Sequence, residues 1–327
     1  MAKGAISMKP TLYICREMPE KVVAPLRELY EVEMWPSTSE AVPRDVLLQK
    51  ITTANALWTV ISDQIDEDVL EAAPHLKIIV NMAVGYNNID VEAAKARGII
   101  VTNTPDVLTE TTADLAFALL MATARDLIGA ENALREGRWT SWEPLGFTGV
   151  DVYGSTLGII GMGRIGEAVM RRAKGFDMKV LYHNRSRKQE TEEMYGCQYA
   201  ELPELLAQSD FVLILVPYSE ETKGLIGAKE LAQMKETAIL INVARGGIVD
   251  EEALFEALHT KKIRAAGLDV FETEPVPLDH PLLTLPNVTV LPHIGSATVQ
   301  TRLAMMKLNE QALQAWAQGE EPNNRVT

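Results

Sequence analysis

Residues 156–166 read TLGIIGMGRIG and carry the clearest structural signal in the chain. An apolar run with strand character leads into the pattern G-x-G-x-x-G, formed by Gly161, Gly163 and Gly166, and this pattern opens a helix. In such a turn the first glycine permits a tight bend, the second lets a pyrophosphate approach the backbone, and the third brings the helix against the strand. The N-terminus of the helix then offers free N–H groups to the phosphates. The stretch therefore predicts a dinucleotide-binding strand, turn and helix.

Short apolar runs alternate with stretches of helical periodicity on both sides of this turn. This alternation is typical of α/β proteins with parallel sheets and crossover helices, and 327 residues suit two domains. We predict an α/β fold with two doubly wound parallel-sheet domains, one flavodoxin-like and one Rossmann-like, and an interdomain cleft. Residues 1–104 with 296–327 form the expected substrate-binding domain, and residues 105–295 form the expected dinucleotide-binding domain. The predicted strands are 11–14, 56–60, 78–81 and 99–101 in the first domain, and 156–160, 179–184, 211–216, 238–242, 265–269 and 288–291 in the second.

Two further helices have distinctive patterns. Residues 106–125 leave almost no polar face, so this helix is expected to be buried between domains or at a subunit interface. The last helix, about residues 297–317, is amphipathic and is expected to cross back onto the first domain.

Composition excludes several classes of protein. Apolar residues make up 47% of the chain and charged residues 23%, which argues against disorder. The net charge of −14 argues against nucleic acid or an anionic membrane surface as a partner. Residues 1–9 lack the apolar centre of a signal peptide, and the two cysteines, Cys15 and Cys197, make no disulfide framework or metal motif. A cytoplasmic location is expected.

The residues after the second strand of the nucleotide-binding domain bear on the choice of cofactor. An NAD site usually places an acidic residue there to bind the ribose 2′-hydroxyl, but this strand ends with Asn184, Arg185, Ser186, Arg187 and Lys188. Cations and a hydroxyl suit the 2′-phosphate of NADP(H). A solvated basic loop is the alternative interpretation. We predict that NADP(H) is preferred and that NAD(H) is possible.

Three residues of the second domain are candidates for catalysis. Arg245, Glu274 and His293 each follow a predicted strand, so they are expected at the carboxyl edge of one sheet, where such folds bind ligands. Taken singly, each could be a surface or structural residue. The spacing of Asp279, His280 and His293 matches no zinc-binding pattern, and no metal is predicted.

Long blocks of the chain resemble the D-isomer-specific 2-hydroxyacid dehydrogenases. These blocks are VGYNNID at 84–90, NTPDVLTETTADLAFALL at 103–120, GIIGMGRIG at 158–166, INVARGGIVDE at 241–251, GLDVFETEP at 267–275 and PHIGSAT at 292–298. Within that family the chain most resembles the glyoxylate and hydroxypyruvate reductases, through GRWTSWEPL at 137–145 and HPLLTLPNVTVLPHIGSAT at 280–298.

The resemblance implies a role for each matching residue. Arg245 is expected to bind the substrate carboxylate, Glu274 to pair with His293, and His293 to act as general acid and base. Substrate contacts are also expected from the backbone N–H groups of Val84 and Gly85 and from Trp142, whose segment reaches towards the partner's active site in a homodimer. The expected cofactor-binding residues are Thr112, Gly161, Gly163, Arg164, Ile165, Gly166, Asn184, Arg185, Ser186, Arg187, Pro217, Thr222, Ala244, Asp269, which faces the nicotinamide carboxamide, and Gly295.

The expected function is reduction of small 2-oxo acids, glyoxylate and hydroxypyruvate, to 2-hydroxy acids with NADPH. One alternative is a 2-ketogluconate reductase or another D-2-hydroxyacid dehydrogenase, because Gly146 stands where relatives can carry a bulky residue. Another is a co-regulator that senses NAD(P) without turnover, since this fold also serves such proteins.

Overall fold

The computed structural model describes residues 9–327, which divide into two units. The first contains residues 9–108 together with Thr298–Thr327, and the second is Thr109–Ala297. The substrate-binding role of the first unit stays a prediction. In chain order the elements are β1 (Thr11–Ile14), α1 (Glu20–Arg27), β2 (Glu31–Met34), α2 (Arg44–Ile51), β3 (Ala56–Thr59), α3 (Glu67–Glu71), β4 (Ile78–Asn81), α4 (Val91–Ala96), β5 (Ile100–Thr102), α5 (Thr109–Ala124), α6 (Leu127–Arg135), β6 (Thr156–Ile160), α7 (Arg164–Lys174), β7 (Lys179–His183), α8 (Gln189–Tyr195), β8 (Gln198–Tyr199), α9 (Leu202–Gln208), β9 (Phe211–Ile214), α10 (Ala228–Leu231), β10 (Ile239–Asn242), α11 (Glu251–His259), β11 (Ala265–Leu268), the 3₁₀ helix Pro281–Thr284, β12 (Val288–Val290) and α12 (Val299–Ala317).

In the first unit, the described residues form a parallel sheet of five strands in the order β2-β1-β3-β4-β5. This is the flavodoxin-like order. The prediction missed β2, an edge strand that alternates exposed glutamates, Glu31 and Glu33, with partly buried Val32 and Met34. Charged residues are common on edge strands because they discourage pairing with other chains. Because these glutamates interrupt the apolar pattern, no strand was predicted here.

The C-terminal helix α12 packs on this first sheet, as its amphipathic pattern predicts. It contacts α1 and β4, and the hydroxyl of Tyr30 donates to the carbonyl of Leu313 at 2.6 Å. The chain then pairs its last residues with β5, where the N–H of Val326 donates to the carbonyl of Val101 at 2.8 Å.

The second unit contains a parallel sheet of seven strands within the described residues, in the order β12-β11-β10-β9-β6-β7-β8. From β8 to β11 this is the Rossmann order, with the topological switch point between β6 and β9. Six of the seven strands follow the predicted apolar runs. The seventh, β8, has only two residues and leaves no such pattern. The predicted fold class is confirmed.

Helix α5 is the uniformly apolar helix that was expected to be buried between domains or at a subunit interface. Within its own unit it packs against α7, β10 and β11. Leu115, Ala118, Met121 and Ala122 are not fully buried there, and a place at a subunit interface stays a prediction. The close fit has a local cause at Gly267 in β11, where a Cβ atom would lie 2.6 Å from the Thr123 hydroxyl and 2.9 Å from Leu119. The buried residues of α5 therefore belong to the core of its own unit.

Among residues 9–327, no helix combines the length and apolar character needed to cross a membrane.

Candidate functional site

The glycine turn after β6 has the geometry expected of a dinucleotide-binding turn. Gly161 has φ +105°, and a Cβ atom there would lie 2.7 Å from the backbone of Leu215. A Cβ atom at Gly166 would lie 2.7 Å from the Gly161 carbonyl, so this glycine lets α7 approach the turn. At Gly163, by contrast, a Cβ atom would meet nothing within 4 Å. The second glycine thus keeps open space at the N-terminus of α7, where a pyrophosphate fits.

Asn184 braces this turn from the end of β7. Its Oδ1 accepts from the N–H of Met162 at 2.7 Å, and its Nδ2 donates to the Met162 carbonyl at 3.4 Å. Both ends of the amide are therefore engaged with the turn, and the predicted contact of Asn184 with the cofactor stays a prediction. The side chain acts on the cofactor site by shaping the glycine turn.

The basic residues that follow differ in how tightly they are held. Arg187 makes a two-pronged pair with Glu192, at 2.8 and 2.6 Å, and Lys188 pairs with Glu167 at 2.7 Å. The Arg187 guanidinium, together with the Tyr182 hydroxyl, lowers the pKa of Glu192 to about 2. Among residues 9–327, the partner of Arg185 is Glu221 at 3.5 Å, and the Arg185 side chain is 90% exposed.

Ser186 is exposed beside Arg185. These two neighbouring residues are therefore the most accessible groups at the tip of β7 for a 2′-phosphate.

Arg245, Glu274 and His293 follow β10, β11 and β12, three strands that are neighbours in the sheet. His293 Nδ1 lies 2.6 Å from Glu274 Oε2, which leaves Nε2 on the opposite side of the ring. The other carboxylate oxygen of Glu274 accepts from the N–H of Phe271 at 3.0 Å. These bonds fix both the carboxylate and the imidazole ring.

The charges around Glu274 decide its ionisation. Burial raises the pKa of Glu274, but the hydrogen bond and positive charge of His293, the Phe271 N–H and the charge of Arg245 together outweigh burial. The net pKa is lowered, and the group stays a carboxylate at neutral pH. Burial lowers the pKa of Arg245, while the charge of Glu274 opposes that shift. A guanidinium remains cationic at any working pH, so an arginine, a carboxylate and an imidazole share one electrostatic environment.

A glycine brings the arginine turn against the loop of Glu274. At Gly246 a Cβ atom would lie 1.9 Å from the carbonyl of Phe271, so a larger residue cannot fit without moving the backbone. Asn242, at the end of β10, closes the turn by donating to the Arg245 carbonyl at 3.0 Å and accepting from the Ala244 N–H at 3.1 Å. Sequence reasoning missed both residues. The paired glycines Gly246 and Gly247 were the available signal.

Asp269 organises the turn that carries His293. Its two carboxylate oxygens accept from the N–H groups of Ile294, at 2.7 Å, and Gly295, at 2.9 Å, and its own carbonyl accepts from His293. The residue is 1% exposed, and burial raises its pKa against the opposing effect of these bonds and of His293. Both oxygens thus hold the histidine turn, and the contact with the nicotinamide carboxamide that the resemblance implies stays a prediction. His293 itself has φ +52°, a left-handed conformation that such bracing sustains.

The remaining predicted cofactor residues lie around the same sheet edge. Gly295 lies close to both Asp269 and Thr112, since a Cβ atom there would meet Asp269 at 3.4 Å and Thr112 at 3.5 Å. The Thr222 hydroxyl closes the loop after β9 by donating to the Pro217 carbonyl at 2.8 Å. The others are Arg164 and Ile165 in the first turn of α7 and buried Ala244 in the arginine turn.

The other predicted substrate residues lie in both units. Val84 and Gly85 lie in the first unit, in the loop after β4, and their carbonyls accept from Asn103 and Asn81. Trp142 lies in the second unit, in the loop after α6, and is 78% exposed.

No cluster of three or more His, Cys, Asp and Glu side chains suited to a metal ion occurs within residues 9–327.

Comparison with known proteins adds a family assignment. Residues 117–295 match the model of the NAD-binding domain of the D-isomer specific 2-hydroxyacid dehydrogenases. The chain is 53% identical over 323 residues to a glyoxylate reductase of Thermococcus gammatolerans, covering 98% of this chain and 96% of that protein. It is 50% identical over 321 residues to a glyoxylate reductase of Korarchaeum cryptofilum, with the same coverage of both chains.

Solved structures agree with this assignment. A protein of Thermus thermophilus superposes with a TM-score of 0.90 at 42% identity, covering 97% of this chain and all (100%) of the other. The NADPH-dependent glyoxylate/hydroxypyruvate reductase of Sinorhizobium meliloti, solved with NADP and malonate, superposes with a TM-score of 0.85 at 36% identity. That match covers 98% of this chain and 97% of the other.

Proposed function

The chain belongs to the D-isomer-specific 2-hydroxyacid dehydrogenase family, and from that premise we propose that it reduces glyoxylate and hydroxypyruvate with NADPH. As an NAD(P)-dependent enzyme of this family it acts on a small 2-oxo or 2-hydroxy acid. The observation that carries the proposal is the 2.6 Å pair of His293 and Glu274, on the sheet that also bears the glycine turn. A complete acid–base pair also favours an enzyme over a sensor of the cofactor.

Each catalytic residue has a distinct task in this proposal. When bound, the nicotinamide cofactor supplies the hydride that reduces the carbonyl carbon. Protonated His293 donates a proton from Nε2 to the carbonyl oxygen, while Glu274 at Nδ1 stabilises the imidazolium and fixes the ring. Arg245 binds the substrate carboxylate and orients the carbonyl. In the reverse direction, neutral His293 takes the hydroxyl proton.

The preference for NADPH rests on the tip of β7. Arg185 and Ser186 are the groups proposed to bind the 2′-phosphate, because Arg187 and Lys188 already have acidic partners. The Sinorhizobium meliloti relative is described as NADPH-dependent, which supports the same choice.

We also propose that the protein acts as a homodimer. The segment from α6 through its following loop exposes Leu127, Ile128, Trp139, Trp142 and Leu145, with exposed fractions of 51, 51, 55, 78 and 82%. Apolar residues exposed together mark a contact surface, and a second copy is the partner that the family resemblance implies. Cys15 and Cys197 are unpaired and buried, which suits the cytoplasm as the proposed location.

The test is a matrix of initial rates. NADPH and NADH are each measured with glyoxylate, hydroxypyruvate and 2-ketogluconate, and His293→Ala provides the inactive reference. We expect the highest kcat/KM with NADPH and one of the two small acids, and a loss of about 100-fold or more in turnover for His293→Ala. A higher kcat/KM with 2-ketogluconate would make the larger substrate the better assignment. Cofactor binding without any turnover would instead favour a sensor.

A further inference from the structure

Two consecutive carbonyls in the loop after β4 are held by the segment that follows β5. The side-chain amide of Asn103 donates to the Val84 carbonyl at 2.9 Å. Its neighbour, Thr104, donates its backbone N–H to the Ala83 carbonyl at 2.9 Å. Asn103 is only 9% exposed, so water competes little for its bond. The loop and this segment both belong to the first unit.

These bonds determine where the N–H groups of the loop point. In a trans peptide, the carbonyl of one residue and the N–H of the next point in opposite directions. Holding the Ala83 carbonyl therefore directs the Val84 N–H, and holding the Val84 carbonyl directs the Gly85 N–H. Both N–H groups face away from the segment of Asn103, and no hydrogen bond within residues 9–327 uses either of them.

Successive N–H groups that face one side form a concave site for an anion. We propose that Asn103 is a positioning residue for the substrate carboxylate: it holds the Val84–Gly85 peptide so that the two N–H groups bind that carboxylate together. The inference rests on the proposed function and on the family resemblance, which implies that the N–H groups of Val84 and Gly85 contact the substrate. Asn103 acts through the peptide and does not touch the substrate.

Asn103 is itself anchored by the end of the chain. Its N–H donates to the Asn324 carbonyl at 3.2 Å, and the Asn324 side chain donates back to the Asn103 carbonyl. From the other side, Asn81 at the end of β4 donates to the Gly85 carbonyl at 3.1 Å and is fully buried. The loop is therefore held from two directions, as a preorganised anion site requires.

The test uses two variants of Asn103. Asn103→Ala removes the amide, and Asn103→Asp keeps the shape but replaces the donor with an acceptor, so it serves if the alanine variant folds poorly. For both we expect KM for glyoxylate to rise about tenfold, with kcat and KM for NADPH within about twofold of wild type. The dissociation constant of oxalate, titrated into the NADP⁺ complex, should rise in parallel.

Asn55→Ala is the matched control. Asn55 lies before β3 in the same unit, and its side chain accepts from the Thr11 N–H and donates to the His75 carbonyl. Its loss should lower the melting temperature without changing KM or oxalate binding. An unchanged KM in both Asn103 variants, or an equal loss of kcat and cofactor binding, overturns the role of Asn103. If wild type reduces none of the acids, the proposed function fails, and oxalate binding still decides whether Asn103 shapes an anion site.

Discussion

At the scale of single residues, the chemistry depends on a carboxylate that is kept ionised. The pKa of Glu274 is lowered despite burial, because His293 and Arg245 place positive charge beside it. A carboxyl whose pKa is lowered on folding stabilises the folded state fully above its ordinary pKa, and this contribution is lost as the pH falls through the lowered value. At neutral pH the ionised carboxylate of Glu274 therefore stabilises the folded loop.

Glu274→Gln should change the pH dependence of reduction. Glutamine cannot balance the charge of the imidazolium, so reduction, which needs the protonated ring, should decline at lower pH than in wild type. At neutral pH we expect kcat to fall about tenfold or more. Initial rates of 2-oxo acid reduction between pH 5 and 9 provide the measurement. Glu272→Gln, which removes an exposed carboxylate from the same loop, is the control, and a Glu274 variant with the profile of that control would show that Glu274 is not the partner of His293.

The sequence predicted the three catalytic candidates but not the hydrogen bonds that hold the turns around them. Arg245, Glu274 and His293 were predicted because each stands beyond a strand in a motif, and the strand order then places them after three neighbouring strands. The bonds of Asn184 to Met162 and of Asp269 to the histidine turn were not predicted. A polar side chain that braces a backbone turn is identified only when the turn's path is known, since its sequence looks the same as that of a ligand-binding residue.

At the scale of elements, the three glycines of the turn meet two different requirements. Two of them allow close packing within the protein, and one leaves open space for a ligand. Gly161 and Gly166 serve the protein's own packing, because a side chain at either position would lie 2.7 Å from backbone atoms. Gly163 faces open space and has an extended conformation, φ −88° and ψ −163°, that alanine adopts without strain. The middle glycine is therefore the one that we propose the cofactor requires.

Gly163→Ala should leave the fold intact and weaken the binding of the cofactor. We expect a melting temperature within about 2 °C of wild type, together with a rise in KM for NADPH of about tenfold, because the methyl group occupies the space of the pyrophosphate. Gly161→Ala provides the contrast, since strain at φ +105° should lower stability. Thermal melting and cofactor titration measure the two effects. If Gly163→Ala leaves the KM for NADPH and the dissociation constant of the cofactor unchanged, the pyrophosphate binds elsewhere.

The elements were predictable in proportion to how apolar they are. Buried strands such as β3, β4 and β9 are four-residue runs with every residue buried, so their sequences reveal them. The edge strand β2 and the two-residue β8 carry too little apolar pattern to be found. Helix α5 was located correctly to within a few residues, but a uniformly apolar helix does not indicate which surface buries it.

At the scale of the whole molecule, the net charge of −14 sets a problem for anionic ligands. Substrate and cofactor both carry negative charge, so the field of the protein as a whole opposes their approach. We therefore expect binding to depend on local positive groups, for which the candidates are the N-terminus of α7, the guanidinium of Arg245 and the basic residues after β7. The same net charge keeps copies of the chain apart, and a dimer therefore needs an apolar contact surface large enough to overcome repulsion.

Leu145→Glu should convert a dimer to a monomer. Leu145 is 82% exposed in the loop that also carries Trp142, and a carboxylate buried there without a partner opposes association strongly. Size-exclusion chromatography with light scattering gives the mass directly, and we expect a shift from the mass of two chains to the mass of one. Met194→Glu, on α8 and 69% exposed, changes charge equally and should leave the dimer intact. A wild type that is already monomeric, or a dimer that survives Leu145→Glu, would remove this surface as the site of self-association.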